Sequence, residues 1–318
     1  MRGVDYHREN FIACVNMTLN PHLPLVYHPN YSFSFDPKHR FAMSKFANLY
    51  AHVKKLGLIG NNLTQPVLGS PEPLELVHCD NYIHDLWNNR LDDKAMRRIG
   101  LPWSAQLMAR TFTAPQGTLQ TARLALKHGI ACHLAGGTHH AHFDFGSGYC
   151  MVNDLAFTTQ TLINSGEVTN VLIFDLDVHQ GDGTAAMLAH QPYAYTCSIH
   201  CEKNFPLRKS ASDLDIGLAN HMQDAEYLAI VDDTLSYLLK ELNPSLVLYD
   251  AGVDIWQNDG LGKLDISWDG IAKRDHLVLK RCLEHNIPVA TVIGGGYDKD
   301  HLRLAQRHGI VVEQAARF

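Results

Sequence analysis

The 318-residue sequence predicts an α/β fold, with a single domain built on a mostly parallel central β-sheet that is flanked by helices. Short apolar runs with strand character alternate along the chain with longer amphipathic segments. This alternation is typical of parallel strands joined by right-handed crossover helices. The hydrophobic content of 46% is enough for a large core. No repeat, linker or shift of composition divides the chain, so we expect one domain over residues 1–318.

The elements follow from the periodicity of apolar residues. Strands are predicted at residues 25–28, 130–134, 171–174, 194–199, 246–249 and 288–293. Helices are predicted at residues 115–128, 153–163, 224–242, 267–284 and 299–308. Pro115 is expected near the start of its helix and Gly129 at its end, while Ser267 is expected to be an N-cap. The first hundred residues are otherwise predicted to be mostly helical and polar.

Composition excludes several classes of protein. The formal net charge is −6 with 27 Lys and Arg residues, and no basic stripe indicates binding to nucleic acid. No run approaches the roughly 18 apolar residues of a membrane span, and residues 1–7 lack the apolar core of a signal peptide. The seven cysteines form no CxxC pair, which fits reduced thiols. We therefore expect a cytoplasmic protein without a membrane or nucleic-acid partner.

The segment that follows the apolar run at residues 171–174 is rich in metal-ligand side chains. It contains Asp175, Asp177, His179 and Asp182. On an extended chain, residues 175, 177 and 179 would project from the same side. Asp177 and His179 could then hold a divalent cation such as zinc. The alternative is an ordinary strand end whose polar residues cap the next helix.

Four further predicted strands are also followed by polar or glycine-rich residues. Open α/β sheets bind ligands at the edge formed by the carboxyl ends of their strands. The residues in question are His139 and His140, His200, residues 250–254 and residues 294–297. Asp254 could complete a site of three protein ligands with one open position, the pattern of a catalytic zinc. Taken alone, Asp254 could equally cap a turn.

The remaining candidates could supply acid–base chemistry. His139 and His140 could act as base and acid, with Asp175 and Asp182 orienting their rings from behind. Tyr297 could donate its phenol to a developing oxyanion. Each also has a structural alternative: packed or surface histidines, a half-buried core tyrosine, or an Asp175 that is a buried carboxylate beside a monovalent cation.

Together these motifs resemble the histone deacetylase superfamily, whose members share the arginase–deacetylase fold. The resemblance covers residues 25–308 and looks closest to bacterial and class IV-type members. It implies a sheet of about eight strands. The matching pieces lie at residues 136–140, 147–150, 175–183, 198–200, 250–254, 259–262 and 294–297, in the order of the family.

The resemblance implies a role for each matched residue. The metal ligands would be Asp177, His179 and Asp254, holding Zn²⁺ or Fe²⁺. The catalytic residues would be His139 and His140, paired with Asp175 and Asp182, together with Tyr297. The substrate tunnel would be lined by Gly148, Tyr149 and Phe205. A structural K⁺ or Na⁺ would be held by Asp175, Asp177, His179 and Ser198. The chain departs from the family at Gln180, where a His is common, at Tyr149, where Phe is frequent, and in a short segment between Ser198 and Phe205.

The implied activity is hydrolysis of an N-acylated amine, most simply an acetylated lysine side chain, by metal-activated water. A first alternative is a deacetylase of acetylpolyamines or other small acylated amines. A second is a binuclear ureohydrolase of the same fold, although Gly181 stands where such enzymes need another Asp. A third is a catalytically inactive module that binds acyl-lysine.

Overall fold

A computed structural model describes residues 19–318, and this part of the chain is organised around one eight-stranded sheet. The strands are β1 (Leu25–Val26), β2 (Leu63–Thr64), β3 (Ile130–His133), β4 (Val171–Asp175), β5 (Ala194–Cys201), β6 (Leu214–Leu218), β7 (Leu246–Asp250) and β8 (Val289–Val292). Their order across the sheet is β2-β1-β3-β8-β7-β4-β5-β6, and each neighbouring pair is parallel. The predicted α/β class and parallel sheet are confirmed.

Helices connect and flank the strands. Between residues 19 and 318 they are α1 (Lys45–Lys55), α2 (Asp80–Trp87), α3 (Asp93–Ile99), α4 (Ala105–His128), α5 (Asp154–Asn164), α6 (Asp182–Leu188), α7 (Asp224–Leu242), α8 (Trp268–Glu284) and α9 (His301–Ala315), with short 3₁₀ turns at Pro29–Tyr31 and Glu72–Leu76. None of the helices in the described residues is both long and apolar enough to cross a bilayer. Residues 1–18, which carry Cys14 and the segment judged to lack a signal peptide, lie outside the described residues.

The start predicted for the longest helix is wrong. Helix α4 begins ten residues before Pro115, at Ala105, and the Ser104 hydroxyl caps it by accepting the Leu107 N–H at 3.1 Å. Proline inside a helix removes one backbone hydrogen bond. The 24-residue length and the buried faces of α4 maintain the helix on both sides of Pro115.

The central strands are aligned so that their carboxyl ends meet. Asp175 at the end of β4 is in register with Ser198 on β5 and with Asp250 at the end of β7. The four residues that precede Asp175 on β4 are at most 1% exposed, so the strand is anchored in the core. The loops that leave β4, β7 and β8 therefore emerge side by side at one edge of the sheet.

Candidate metal centre and active site

Three side chains from two of these loops converge on one point. His179 Nδ1 lies 3.0 Å from Asp177 Oδ1 and 3.1 Å from Asp254 Oδ2. Ligand atoms that surround a tetrahedral zinc at its usual bond lengths are about 3.3 Å apart. All three side chains are buried. The spacing and the donor types thus fit a divalent cation bound by two carboxylates and one imidazole.

The convergence comes from a bent loop and not from an extended strand. Strand β4 ends at Asp175, and residues 177–179 are a bend in which Asp177 Oδ1 accepts the His179 N–H at 2.9 Å. The prediction that residues 175, 177 and 179 project from one extended segment is therefore wrong. Asp177 and His179 nevertheless lie on the same side, because a short carboxylate-to-backbone turn brings their side chains together.

Backbone N–H groups of the neighbouring loops donate hydrogen bonds to the carboxylates of Asp177 and Asp254. The Val178 N–H donates to Asp254 Oδ1 at 2.9 Å, and the Gly295 N–H donates to Asp177 Oδ2 at 2.6 Å. A Cβ atom at Gly295 would overlap Asp254 Oδ2 and would lie 2.6 Å from Asp177 Oδ2. The backbone at Gly295 therefore lies directly against the two carboxylates, in a space that only glycine fits.

The electrostatics of the three side chains favour a bound cation. Burial acts to lower the pKa of His179, but Asp177 and Asp254 outweigh it and raise the pKa to about 10. Nδ1 of this ring therefore lies in a strongly negative potential. Two buried carboxylates beside a single imidazole are costly without further positive charge. A divalent ion at this point would supply that charge.

The tandem histidines lie next to the three candidate ligands, and each is backed by a carboxylate. His139 Nδ1 is 2.7 Å from Asp175 Oδ2, and His140 Nδ1 is 2.7 Å from Asp182 Oδ1. The two Nε2 atoms face each other at 3.2 Å. Each carboxylate fixes the ring so that Nδ1 carries the proton or shares it, which leaves Nε2 to face the pocket. These are the pairings that the sequence predicts.

The two imidazoles differ in their electrostatics. Burial and the adjacent His139 lower the pKa of His140 to about 4, despite the opposing effect of Asp182. Burial also acts to lower the pKa of His139, but Asp175 and Asp177 raise it well above its ordinary value. The surrounding charges thus favour the proton on His139 over His140.

Aromatic side chains line the approach to these groups. The Phe205 ring is 4.9 Å from the His140 ring, and the Tyr297 ring is 6.3 Å from the His179 ring. The Tyr149 ring is 5.9 Å from that of Tyr297. Gly148 lies at the same wall, with φ of 53°. The structure thus brings all three predicted tunnel residues to one cavity. Burial and Asp254 raise the pKa of Tyr297, so its phenol keeps its proton.

The four residues predicted to bind a monovalent cation do not all point to one site. Asp175 and Ser198 are register partners on adjacent strands, but the Ser198 hydroxyl forms a hydrogen bond with His200 Nδ1 at 3.0 Å. His200 lies within β5, and not after it as predicted, and contributes no candidate metal ligand among the described residues. Asp175 instead belongs to a second buried cluster of potential metal ligands, together with His139 and Asp250.

The inner wall of the pocket contains two buried cations that were not predicted. Lys45 Nζ lies 5.4 Å from the centroid of the Phe46 ring, and the Arg110 guanidinium lies 4.4 Å over the same ring. Burial lowers the pKa of Lys45 to about 8. Lys45 Nζ donates to the Gly294 carbonyl at 3.4 Å. Lys45 and Arg110 lie in segments without a motif, so nothing local in the sequence marks them.

Two further unpredicted residues brace the loops of the site. The carboxylate of Asp154 accepts the Gly137 and Thr138 N–H groups at 3.1 and 2.7 Å, directly before the tandem histidines. The buried Arg274 donates to the Gly252 carbonyl at 2.6 Å, two residues before Asp254. Both act through backbone groups, and side-chain patterns in a sequence do not reveal such partners.

Comparisons with known proteins show which family this chain resembles. A family model described as the histone deacetylase domain matches residues 39–311. An uncharacterized protein of Picosynechococcus sp. is 48% identical over 295 residues, which cover 92% of this chain and 98% of that protein. Histone deacetylase 2 of Arabidopsis thaliana is 28% identical over 301 residues, covering 88% of this chain and 76% of that protein.

A solved structure supports the fold independently. A histone deacetylase homolog complexed with SAHA matches with a TM-score of 0.76 at 22% sequence identity, and the match covers 92% of this chain and 84% of that one. The family model extends over most of the sequence. The chain therefore belongs to the histone deacetylase family.

Proposed function

We propose that the protein is a zinc-dependent amidohydrolase that removes an acetyl or other acyl group from an N-acylated amine, with a lysine side chain as the favoured substrate. One observation supports this above the others. Three candidate metal ligands, Asp177, His179 and Asp254, converge beside two imidazoles whose Nε2 atoms are 3.2 Å apart. Metal-assisted hydrolysis of an amide needs these groups together.

The chain's own groups divide the proton transfers. A bound Zn²⁺ would polarise the acyl carbonyl and acidify a water molecule. His140, neutral and fixed by Asp182, is placed to accept the proton of that water. Tyr297 keeps its phenolic proton and donates a hydrogen bond to the developing oxyanion. His139, whose pKa is raised by Asp175, would supply the proton for the leaving amine.

The lack of space around Gly181 argues against the ureohydrolase alternative, which requires an aspartate at this position. A Cβ atom there would overlap Asp175 Oδ2 and would lie 3.3 Å from His139 Nδ1. An aspartate could not occupy this position without displacing the pair. We therefore propose one divalent ion per chain. We also propose that a K⁺ or Na⁺ ion binds at Asp175, Asp177, His179 and Ser198. The support for this second ion is that Asp175 and Ser198 are aligned on adjacent strands.

The experiment is turnover of a fluorogenic acetyl-lysine peptide by enzyme stripped of metal and reloaded with zinc. We expect no activity before loading, and activity that rises to a plateau at one zinc per chain by elemental analysis. Manganese loaded to two per chain, with urea release from a guanidino substrate, would favour the ureohydrolase instead. A fully loaded enzyme that binds the peptide without cleaving it would favour the inactive binding module.

A further inference from the structure

We propose that the mouth of this active site selects acyl-lysine in an acidic sequence context and discriminates against acetylated polyamines. The inference rests on the proposed amidohydrolase function and specifies its substrate class. The supporting observation is that the charged side chains described at the opening of the cavity are all positive.

The cavity above the site has a volume of about 390 Å³ and leads from the surface to the reacting groups. Its floor contains His140 and His179, and its walls include Tyr149 and Phe205. Its outer residues include Arg97, Arg98 and Lys263, which we call the cationic rim. All three rim side chains are exposed. Among the described residues, those that line this cavity include no Asp or Glu.

The charges of the cationic rim are not neutralised by neighbours. Within residues 19–318, no carboxylate lies within 4.0 Å of Arg97, Arg98 or Lys263. The Arg98 guanidinium lies over the Phe145 ring at 4.6 Å, and Lys263 Nζ donates to the Lys203 carbonyl at 2.5 Å. Both contacts orient a side chain but leave its positive charge uncompensated.

Helix α3 directs its two arginines towards the opening. Arg97 and Arg98 lie in its last turn, and Gly100 ends the helix in the left-handed conformation with φ of 79°. The acidic residues of this helix lie at its other end, where the carboxylate of Asp92 accepts the Ala95 N–H at 2.7 Å. The polarity of α3 thus places positive charge at the mouth and negative charge away from it.

A neighbouring groove extends the positive surface. It has a volume of about 500 Å³ and shares Leu261 and Tyr297 with the mouth. Asp298 is the one acidic side chain that residues 19–318 place on this groove, and it is already paired with Arg307 at 3.0 Å. The basic residues that line the groove are Lys38, Arg40 and Lys299. Because the whole chain has a net charge of −6, this concentration of positive charge is local to the opening.

The charge of the rim determines which acylated amines are favoured. An acetylated polyamine keeps at least one free ammonium group, which would have to lie among these side chains and be repelled. A peptide with Asp or Glu beside its acyl-lysine would pair with them instead. Exposed pairs contribute little individually, but three or more acting together give about a tenfold preference at low salt. Salt screens such a preference.

The test compares kcat/KM for matched substrates on the zinc-loaded enzyme. The substrates are acetyl-lysine peptides with acidic, neutral or basic flanks, and N-acetylated polyamines. We expect acidic flanks to exceed basic flanks by about tenfold at low salt, mainly through KM, and polyamines to be the poorest substrates. The acidic-to-basic ratio should fall towards one as NaCl is raised to 1 M. This salt titration uses the unmodified enzyme, so it does not depend on the folding of a variant.

Charge reversal then identifies the residues responsible. The double variant Arg97→Glu and Arg98→Glu, and separately Lys263→Glu, should lower the preference for acidic flanks, mainly by raising KM for the acidic peptide. Lys127→Glu is the matched control. It is an equally exposed lysine in the last turn of α4, just before the amino end of β3 and thus at the opposite edge of the sheet. It should leave the preference unchanged.

Two results would overturn the inference, and they can be told apart. Equal rates for acidic and basic flanks, or faster turnover of polyamines, would remove the substrate assignment and leave the proposed hydrolysis intact. Failure to cleave any of these substrates, neutral peptide included, would remove the proposed function and with it this inference.

Discussion

His140 Nδ1 lies 2.7 Å from Oδ1 of Asp182. The other oxygen of the same carboxylate lies 3.1 Å from His142 Nε2. One carboxylate therefore orients the proposed general base and is itself held by a second imidazole. Asp182 is the first residue of α6, where its charge also faces the positive end of the helix dipole.

Replacing Asp182 with Asn should preserve the shape of this contact and remove its charge. We expect Asp182→Asn to lower kcat by about 10- to 100-fold with bound zinc unchanged, because a neutral partner makes His140 less basic. His142→Gln is the control, since it removes a contact to Asp182 but leaves the contact between Asp182 and His140. Steady-state kinetics with elemental analysis checks both. An Asp182→Asn enzyme as active as His142→Gln would argue against an orienting role.

Removal of the phenol tests the proposed oxyanion donor. We expect Tyr297→Phe to lower kcat by about 10²- to 10³-fold, the usual loss for one such donor. The metal content should stay at the level of the unmodified enzyme, because Tyr297 is not among the three converging ligands. Near-normal turnover would exclude Tyr297 from the mechanism.

Gly295 offers a test of the metal site that leaves every ligand in place. A methyl group at this position would overlap Asp254 Oδ2 and press on Asp177 Oδ2. We expect Gly295→Ala to weaken zinc binding by at least about tenfold, measured by competition with a fluorescent chelator. In Gly260→Ala the added Cβ meets no atom closer than 3.7 Å, so its zinc affinity should match the unmodified protein. Equal affinities in the two variants would contradict the ligand assignment.

The sequence predicts most of the sheet and the candidate metal ligands for one physical reason. Buried parallel strands are continuous apolar runs, and their ligands follow immediately at the carboxyl ends. Asp177, His179 and Asp254 could therefore be found from local context. The sequence analysis did not predict the two edge strands, β2 and β6. Strand β2 has only two residues, and the alternation of apolar and polar residues in β6 extends only over Leu214–Leu218. That alternation is a usable strand signal.

Residues brought in from distant segments could not be predicted in the same way. Lys45 and Arg110 reach the inner wall from α1 and α4, and no spacing in the chain relates them to the three candidate metal ligands. The cationic rim likewise joins residues about 165 positions apart, Arg98 and Lys263. Charge at a cavity mouth is a property of the packed helices and loops.

A buried histidine in the turn before α2 contacts the loop that follows the tandem histidines. His78 Nδ1 donates to the His142 carbonyl at 2.9 Å, and His78 Nε2 accepts the Asn153 N–H at 2.9 Å. Its side chain is 1% exposed. Both contacts require the neutral ring, since a protonated Nε2 could no longer accept. Burial lowers the pKa of His78 to about 4, although the His142 and Phe143 carbonyls, which accept from Nδ1, act in the opposite direction.

This pKa predicts how stability depends on pH. In the unfolded chain His78 titrates near its ordinary value of about 6.5, so the unfolded state takes up a proton first as pH falls. The stabilisation is therefore complete above pH 6.5 and is lost between about pH 6.5 and 4, amounting to about 3 kcal/mol. Urea unfolding of chelator-treated protein at pH 7.5, 5.5 and 4.5 measures it and avoids metal release.

The variant His78→Gln removes this titration and keeps one donor and one acceptor. We expect its free energy of unfolding to be lower than that of the unmodified protein at pH 7.5, and to fall less steeply towards pH 4.5. His128→Gln, at an exposed position at the end of α4, should follow the unmodified profile. The other buried histidines titrate equally in all three proteins, so the difference in slope isolates His78. Parallel profiles for His78→Gln and the unmodified protein would show that the ring is not held neutral by the fold.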